Sequence, residues 1–95
     1  MTNKQRAYLS KLAVNEKAIL ELGKANLTPE FTNAVAEALA ARELVKISLL
    51  KTCVEDPNEV ASVIAERTRC QVVRVIGRKI IFYKQAKQPK IELPR

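Results

Sequence analysis

Residues 28–50, TPEFTNAVAEALAARELVKISLL, carry a helix start, a helix and a strand in one stretch. Thr28 is a cap residue, Pro29 has the preset φ of a first helical position, and Glu30 favours the positive end of the helix dipole. Phe31, Val35, Ala38, Leu39 and Arg42 then fall on one stripe, which predicts a helix to about Arg42. From Glu43 the period changes. In ELVKISLL, residues 43–50, Val45, Ile47 and Leu49 point one way while Lys46 and Ser48 point the other, as in a strand with one solvated face.

The same logic extends outward in both directions. Upstream, residues 2–14 read as a helix capped by Thr2, with Leu9, Leu12 and Ala13 on its apolar stripe and Asn15 ending it. KAILEL, residues 17–22, reads as a short strand, and Gly23 to Asn26 breaks the pattern. Downstream, Asp56-Pro57 repeats the cap-then-proline start. Val60, Ala61 and Ile64 form the apolar stripe of a helix ending near Arg69, and Glu59 is placed to complete a capping box. QVVRVI (71–76) and IIFYKQ (80–85), joined by Gly77-Arg78-Lys79, read as a hairpin. The tail AKQPKIELPR holds two prolines and should lack helix, with Ile91 and Leu93 available to dock on the body. The order is α-β-α-β-α-β-β. It predicts an α/β sandwich of three helices on a four-stranded mixed sheet, with an antiparallel terminal hairpin and parallel earlier strands.

Ninety-five residues suit one domain spanning 1–95. No apolar run reaches the length of a membrane span, and MTNKQRAYLSK has no apolar stretch after its charges, so a cytoplasmic protein is expected. Histidine is absent, which removes the commonest general base near neutral pH, and no nucleophile elbow, Walker loop or dinucleotide fingerprint occurs. We expect no enzyme, no cofactor, no metal and no small-molecule substrate. Cys53 and Cys70 lack metal-ligand spacing and read as buried thiols. The carboxylates Glu55, Asp56 and Glu59 read as a helix start before they read as catalysts.

The net charge is +7, unevenly placed. Residues 1–66 hold eight Lys/Arg and nine Asp/Glu, whereas residues 67–95 hold nine Lys/Arg and only Glu92. An excess concentrated in structured segments points to a polyanionic partner. Arg74 and Lys84 lie on predicted strands, Arg78 and Lys79 crown the hairpin, and arginine forks match phosphate oxygens. Tyr83 offers a stacking platform, while Phe82 points into the core. Gly23-Lys24-Ala25-Asn26 lies between a strand and a helix N-terminus, where free backbone N–H groups and the dipole favour phosphate. Gly23 permits an unusual φ or a close approach, and Asn26 tolerates the left-handed region. On composition alone an ordinary turn explains this loop better.

LGKANLTPEFTNAVAEALAARELVKISLL (22–50), VIGRKIIFYK (75–84) and KIELPR (90–95) together resemble the CRM (YhbY-like) RNA-binding domain family, in the family's order and spacing. The resemblance covers about Lys4 to Arg95. It implies a fold similar to the C-terminal domain of bacterial initiation factor three. It also implies a stand-alone partner of ribosomal RNA in the immature large ribosomal subunit; a monomer is expected. Related domains of plant organelles act in intron splicing. The family's GxxG loop, likened to the RNA-clamping loop of KH domains, maps onto Gly23, Lys24, Ala25 and Asn26, with Asn26 in place of the second glycine. With the resemblance, the RNA-binding set becomes Gly23, Lys24, Ala25, Asn26, Arg74, Arg78, Lys79 and Lys84. The alternative from another class is a protein-interaction module docking on a ribosomal protein or assembly factor, marked by an exposed apolar patch.

Overall fold

The computed structural model describes residues 1–23 and 27–94. The order is α1 (Asn3–Val14), β1 (Leu20–Leu22), α2 (Pro29–Arg42), β2 (Leu44–Leu49), α3 (Pro57–Thr68), β3 (Gln71–Ile76) and β4 (Lys79–Tyr83). The sheet order is β1-β2-β4-β3: β1 pairs with β2 in parallel, and β4 runs antiparallel to both β2 and β3. The expected three-helix, four-strand mixed α/β sandwich is the observed one.

The helices start where side chains satisfy first-turn N–H groups that have no intrahelical acceptor. Thr2 and Gln5 form a reciprocal capping box, Thr28 accepts from the Phe31 N–H at 3.2 Å, and Asp56 accepts from the Asn58 N–H at 2.8 Å. Glu59 does not complete a box at α3, because Asp56 reaches the second rather than the third helical amide. The helix ends at Glu43 and Arg69 both take positive φ, 66° and 56°. Arg69 lies in the left-handed region usual for a helix C-cap. Glu43, with ψ −43°, does not. Such backbone persists only where its surroundings over-determine it.

Two cores sandwich the sheet. The larger one, under α2 and α3, gathers Val35, Leu39, Val45, Ile47, Leu49, Ile64, Ile80 and Phe82, all at most 2% exposed. The second lies under α1 and gathers Leu9, Ala13, Val73, Ile81 and Tyr83, with Leu44, Ile91 and Leu93 at its rim. The strand β4 is therefore covered on both faces. Phe82 enters the larger core as expected, but Tyr83 is 4% exposed in the second core and offers no stacking platform. Burial, and then the charge of Glu43, push its hydroxyl pKa up. The face of β2 expected to be solvated is half-covered for the same reason: α1 lies over it, and Lys46 Nζ donates to the carbonyls of Ala13 and Glu16, both at 3.3 Å.

Other expectations shift by a few residues. The strand expected over 17–22 is only Leu20–Leu22, preceded by one bond from the Ile19 N–H to the Lys46 carbonyl. Residues 17–19 form neither helix nor strand, and Lys46 holds the carbonyls of Ala13 and Glu16 at and just after the end of α1. Arg42 is exposed, although its spacing put it on the apolar stripe. Cys53 is buried in the larger core, whereas Cys70 is only half-buried at its margin. Burial pushes the Cys70 thiol up, away from the reactive thiolate. The strand β3 carries a bulge: Val72 opposes Phe82 and Arg74 opposes Ile81, leaving Val73 as the extra residue. The bulge lets Val72 and Val75, three apart, both face the larger core while Val73 faces α1.

The tail docks as expected. Ile91 and Leu93 pack on the second core, and Gln5 Nε2 donates to the Pro94 carbonyl at 3.0 Å. What holds it is Glu43, fully buried, whose carboxylate accepts from the N–H groups of Ala86 (3.1 Å), Ile91 (2.9 Å) and Lys90.

Candidate nucleic-acid interface

Because β1 and β2 are parallel and β4 runs against them, three connections meet at one end of the sheet. The first leaves β1 at Gly23. The second leaves β2 at Leu50, whose N–H donates to the Leu22 carbonyl at 2.9 Å. The third is the hairpin turn, where the Leu49 N–H donates to the Arg78 carbonyl at 2.7 Å. The helices α2 and α3 run back from this end, so both their N-termini open onto it. Gly23, Arg78 and Lys79 are thereby brought together. Lys24, Ala25 and Asn26 lie outside the described residues.

Arg78 is a fastener as well as a charge. Its Nε donates to the Leu49 carbonyl at 3.1 Å, and its Nη2 donates to the carbonyls of Leu50 (2.7 Å) and Cys53 (2.6 Å). The fork ties the hairpin to the connection between β2 and α3. Gly77 has φ 57°, the value that favours glycine in this tight turn. Of the two uses open to Gly23, an unusual φ or a close approach, it takes no positive φ; a Cβ there would meet Leu50 Cδ1 at 3.4 Å and Thr52 Oγ1 at 3.5 Å, ordinary contacts. What its lack of a side chain leaves is a bare strand exit.

The remaining expected residues lie elsewhere. Lys84 is at the opposite end of the sheet, where Nζ donates to the Thr68 carbonyl at 2.9 Å and closes the C-terminus of α3. Arg74 is exposed in the middle of the edge strand β3, on the face that α1 covers. Two further features escaped the sequence reading. Leu50, Val54 and Ile76 are exposed at the loop end, Val54 by 92%. Arg6 and Lys11 line a groove with Arg74, although α1 lies some sixty residues upstream of it in the chain. Among the described residues, no cluster of His, Cys, Asp or Glu has the makings of a metal site, and no helix is long and apolar enough to cross a membrane.

The family model of the CRS1 / YhbY (CRM) domain matches residues 1–84, the span from α1 to the end of the hairpin. The chain belongs to the CRM domain family. It is 41% identical over 95 residues to a Bacillus subtilis (strain 168) protein named "Probable RNA-binding protein YqeI", covering 99% of each chain. It is 27% identical over 95 residues to a Haemophilus influenzae protein named "RNA-binding protein", covering 100% of this chain and 96% of that one. The solution structure of the hypothetical protein SAV1595 from Staphylococcus aureus superimposes with a TM-score of 0.83 at 36% identity, covering 99% of both chains. This CRM domain thus has its sandwich in common with a solved relative along nearly its whole length, tail included.

Proposed function

We propose that this protein binds structured RNA without catalysis, as a cytoplasmic monomer, and that its target is ribosomal RNA in the immature large subunit. The observation that carries the reading is the convergence of the Gly23 exit, the Arg78-Lys79 turn and two helix N-termini at one end of the sheet, in a chain of net charge +7. Lys24 and the amides of its loop hold phosphate. Arg78 and Lys79 add attraction to the backbone, and Arg74 and Lys84 extend the positive field along β3 and to the far end. The names of the relatives, both RNA-binding, support the partner class. The large-subunit target follows from the resemblance to stand-alone family members.

A second reading draws on the exposed Leu50, Val54 and Ile76 at the same end: a module docking on a ribosomal protein or assembly factor. Ultraviolet crosslinking in cells, with sequencing of the bound RNA, separates the two. The RNA reading predicts enrichment of precursor large-subunit RNA over all other transcripts. Absence of crosslinked RNA, together with large-subunit association that survives nuclease, supports the docking module instead.

A further inference from the structure

Between α1 and β3 runs a groove whose lining includes Arg6, Ala7, Ser10, Lys11, Val73 and Arg74, and among the described residues no acidic side chain lines it. Arg6 and Lys11 stand on either side of the small residues Ala7 and Ser10 on α1, and Arg74 faces them from the strand. The bulge at Val73 decides this: it places Arg74 opposite Ile81, on the α1 side. The three cations differ from four others of this fold. Lys46, Arg78, Lys84 and Lys90 each donate to backbone carbonyls. Among the described residues, Arg6, Lys11 and Arg74 make no side-chain hydrogen bond, so their charges are uncommitted.

We propose that this groove is a second phosphate track for the same RNA, an inference that rests on the RNA reading above. Its small floor, Ala7 and Val73, leaves room for a strand of phosphodiester, and Ser10 supplies a hydroxyl beside it. Among the described residues no aromatic ring lines it on which a base would stack, so its contacts position the backbone and do not read sequence. The chain runs from Arg74 to Gly77 in three residues, about 10 Å of strand, so one RNA backbone can reach from the groove to the hairpin turn.

The test uses the full chain, two hairpin RNAs of unrelated sequence and a KCl series. Arg6→Ala/Lys11→Ala/Arg74→Ala is compared with Lys79→Ala, and Arg74→Ala alone serves if the triple variant melts early. The triple variant should flatten the plot of log affinity against log salt by about two to three units. That is roughly 0.9 per phosphate by the B-DNA relation, or about tenfold in affinity per contact near 0.1 M salt. The loss should be the same for both RNAs. Parental affinity and slope in the groove variants, with Lys79→Ala weakened, would overturn the groove and leave the loop-end interface standing. Unequal losses on the two RNAs would overturn the backbone-contact assignment. No loss in any variant would remove the RNA reading itself.

Discussion

Glu43→Ala is expected to destabilise the fold by about 3–5 kcal/mol and to release the tail. The carboxylate is fully buried and accepts from the N–H groups of Ala86, Lys90 and Ile91. Removing the buried carboxylate strands three part-buried donors, at up to about 1–3 kcal/mol each, and withdraws the charge that Lys90 faces. A domain of this size has roughly 5–15 kcal/mol in all, so the loss is a large fraction. Glu43→Gln keeps the shape but turns an amide donor toward backbone donors, and should also be clearly destabilised. The pH dependence fixes the sign. Burial raises the carboxyl pKa, but the three N–H donors and Lys90 lower it further, to a value below the ordinary 4.5. The folded state therefore holds the proton less tightly than the unfolded state. The stabilisation is complete above pH 4.5 and is lost as pH falls below it toward the folded value. Chemical denaturation across this range should show a steeper acid loss in the parent than in Glu43→Gln. Equal neutral-pH stability and equal acid limbs would mean that the clasp does not hold the tail.

Arg78→Ala should cost about 1–3 kcal/mol, because the guanidinium satisfies three backbone carbonyls that would otherwise rely on water or neighbours. Lys79→Ala, one residue on and exposed, should stay within about 0.5 kcal/mol. Arg78→Lys should fall between, since an ammonium cannot reproduce the fork. Denaturant melts of the three variants read this directly, and hydrogen exchange should show amides between β2 and α3 opening most in Arg78→Ala, less in Arg78→Lys and not in Lys79→Ala. If Arg78→Ala and Lys79→Ala are equally stable, Arg78 is only a surface charge and the hairpin is not fastened to that connection.

The two residues show where a sequence can be read and where it cannot. Caps, prolines and period are local, so the starts of all three helices, the alternation of β2 and the hairpin could be read from neighbours a few positions apart. Glu43 looked like the charged first residue of a strand. Its partners return 43 to 48 residues later, and no local pattern carries that information. Arg78 and Lys79 looked alike for the same reason: the carbonyls that distinguish them lie 25 to 29 residues away. Tyr83 was misplaced because a period-two pattern gives alternation but not which faces are covered, and α1 covers the second. The extra residue at Val73 moved Arg74 onto the α1 face beside Arg6 and Lys11, a juxtaposition invisible while α1 and β3 are read separately. The loop end was legible in part. Gly23, Arg78 and Lys79 do meet, but Lys84 lies at the opposite end, because β4 crosses the whole sheet between Lys79 and Tyr83.

The most direct test of the central claim is a titration of the full chain against a structured RNA hairpin over a salt series. Binding through a basic surface predicts tight association at low salt and a log affinity that falls linearly with log salt, by roughly 0.9 for each phosphate neutralised on the B-DNA relation. With contacts at both the loop end and the groove, the slope should amount to several units. No association at low salt, or an affinity that does not change with salt, would contradict the account.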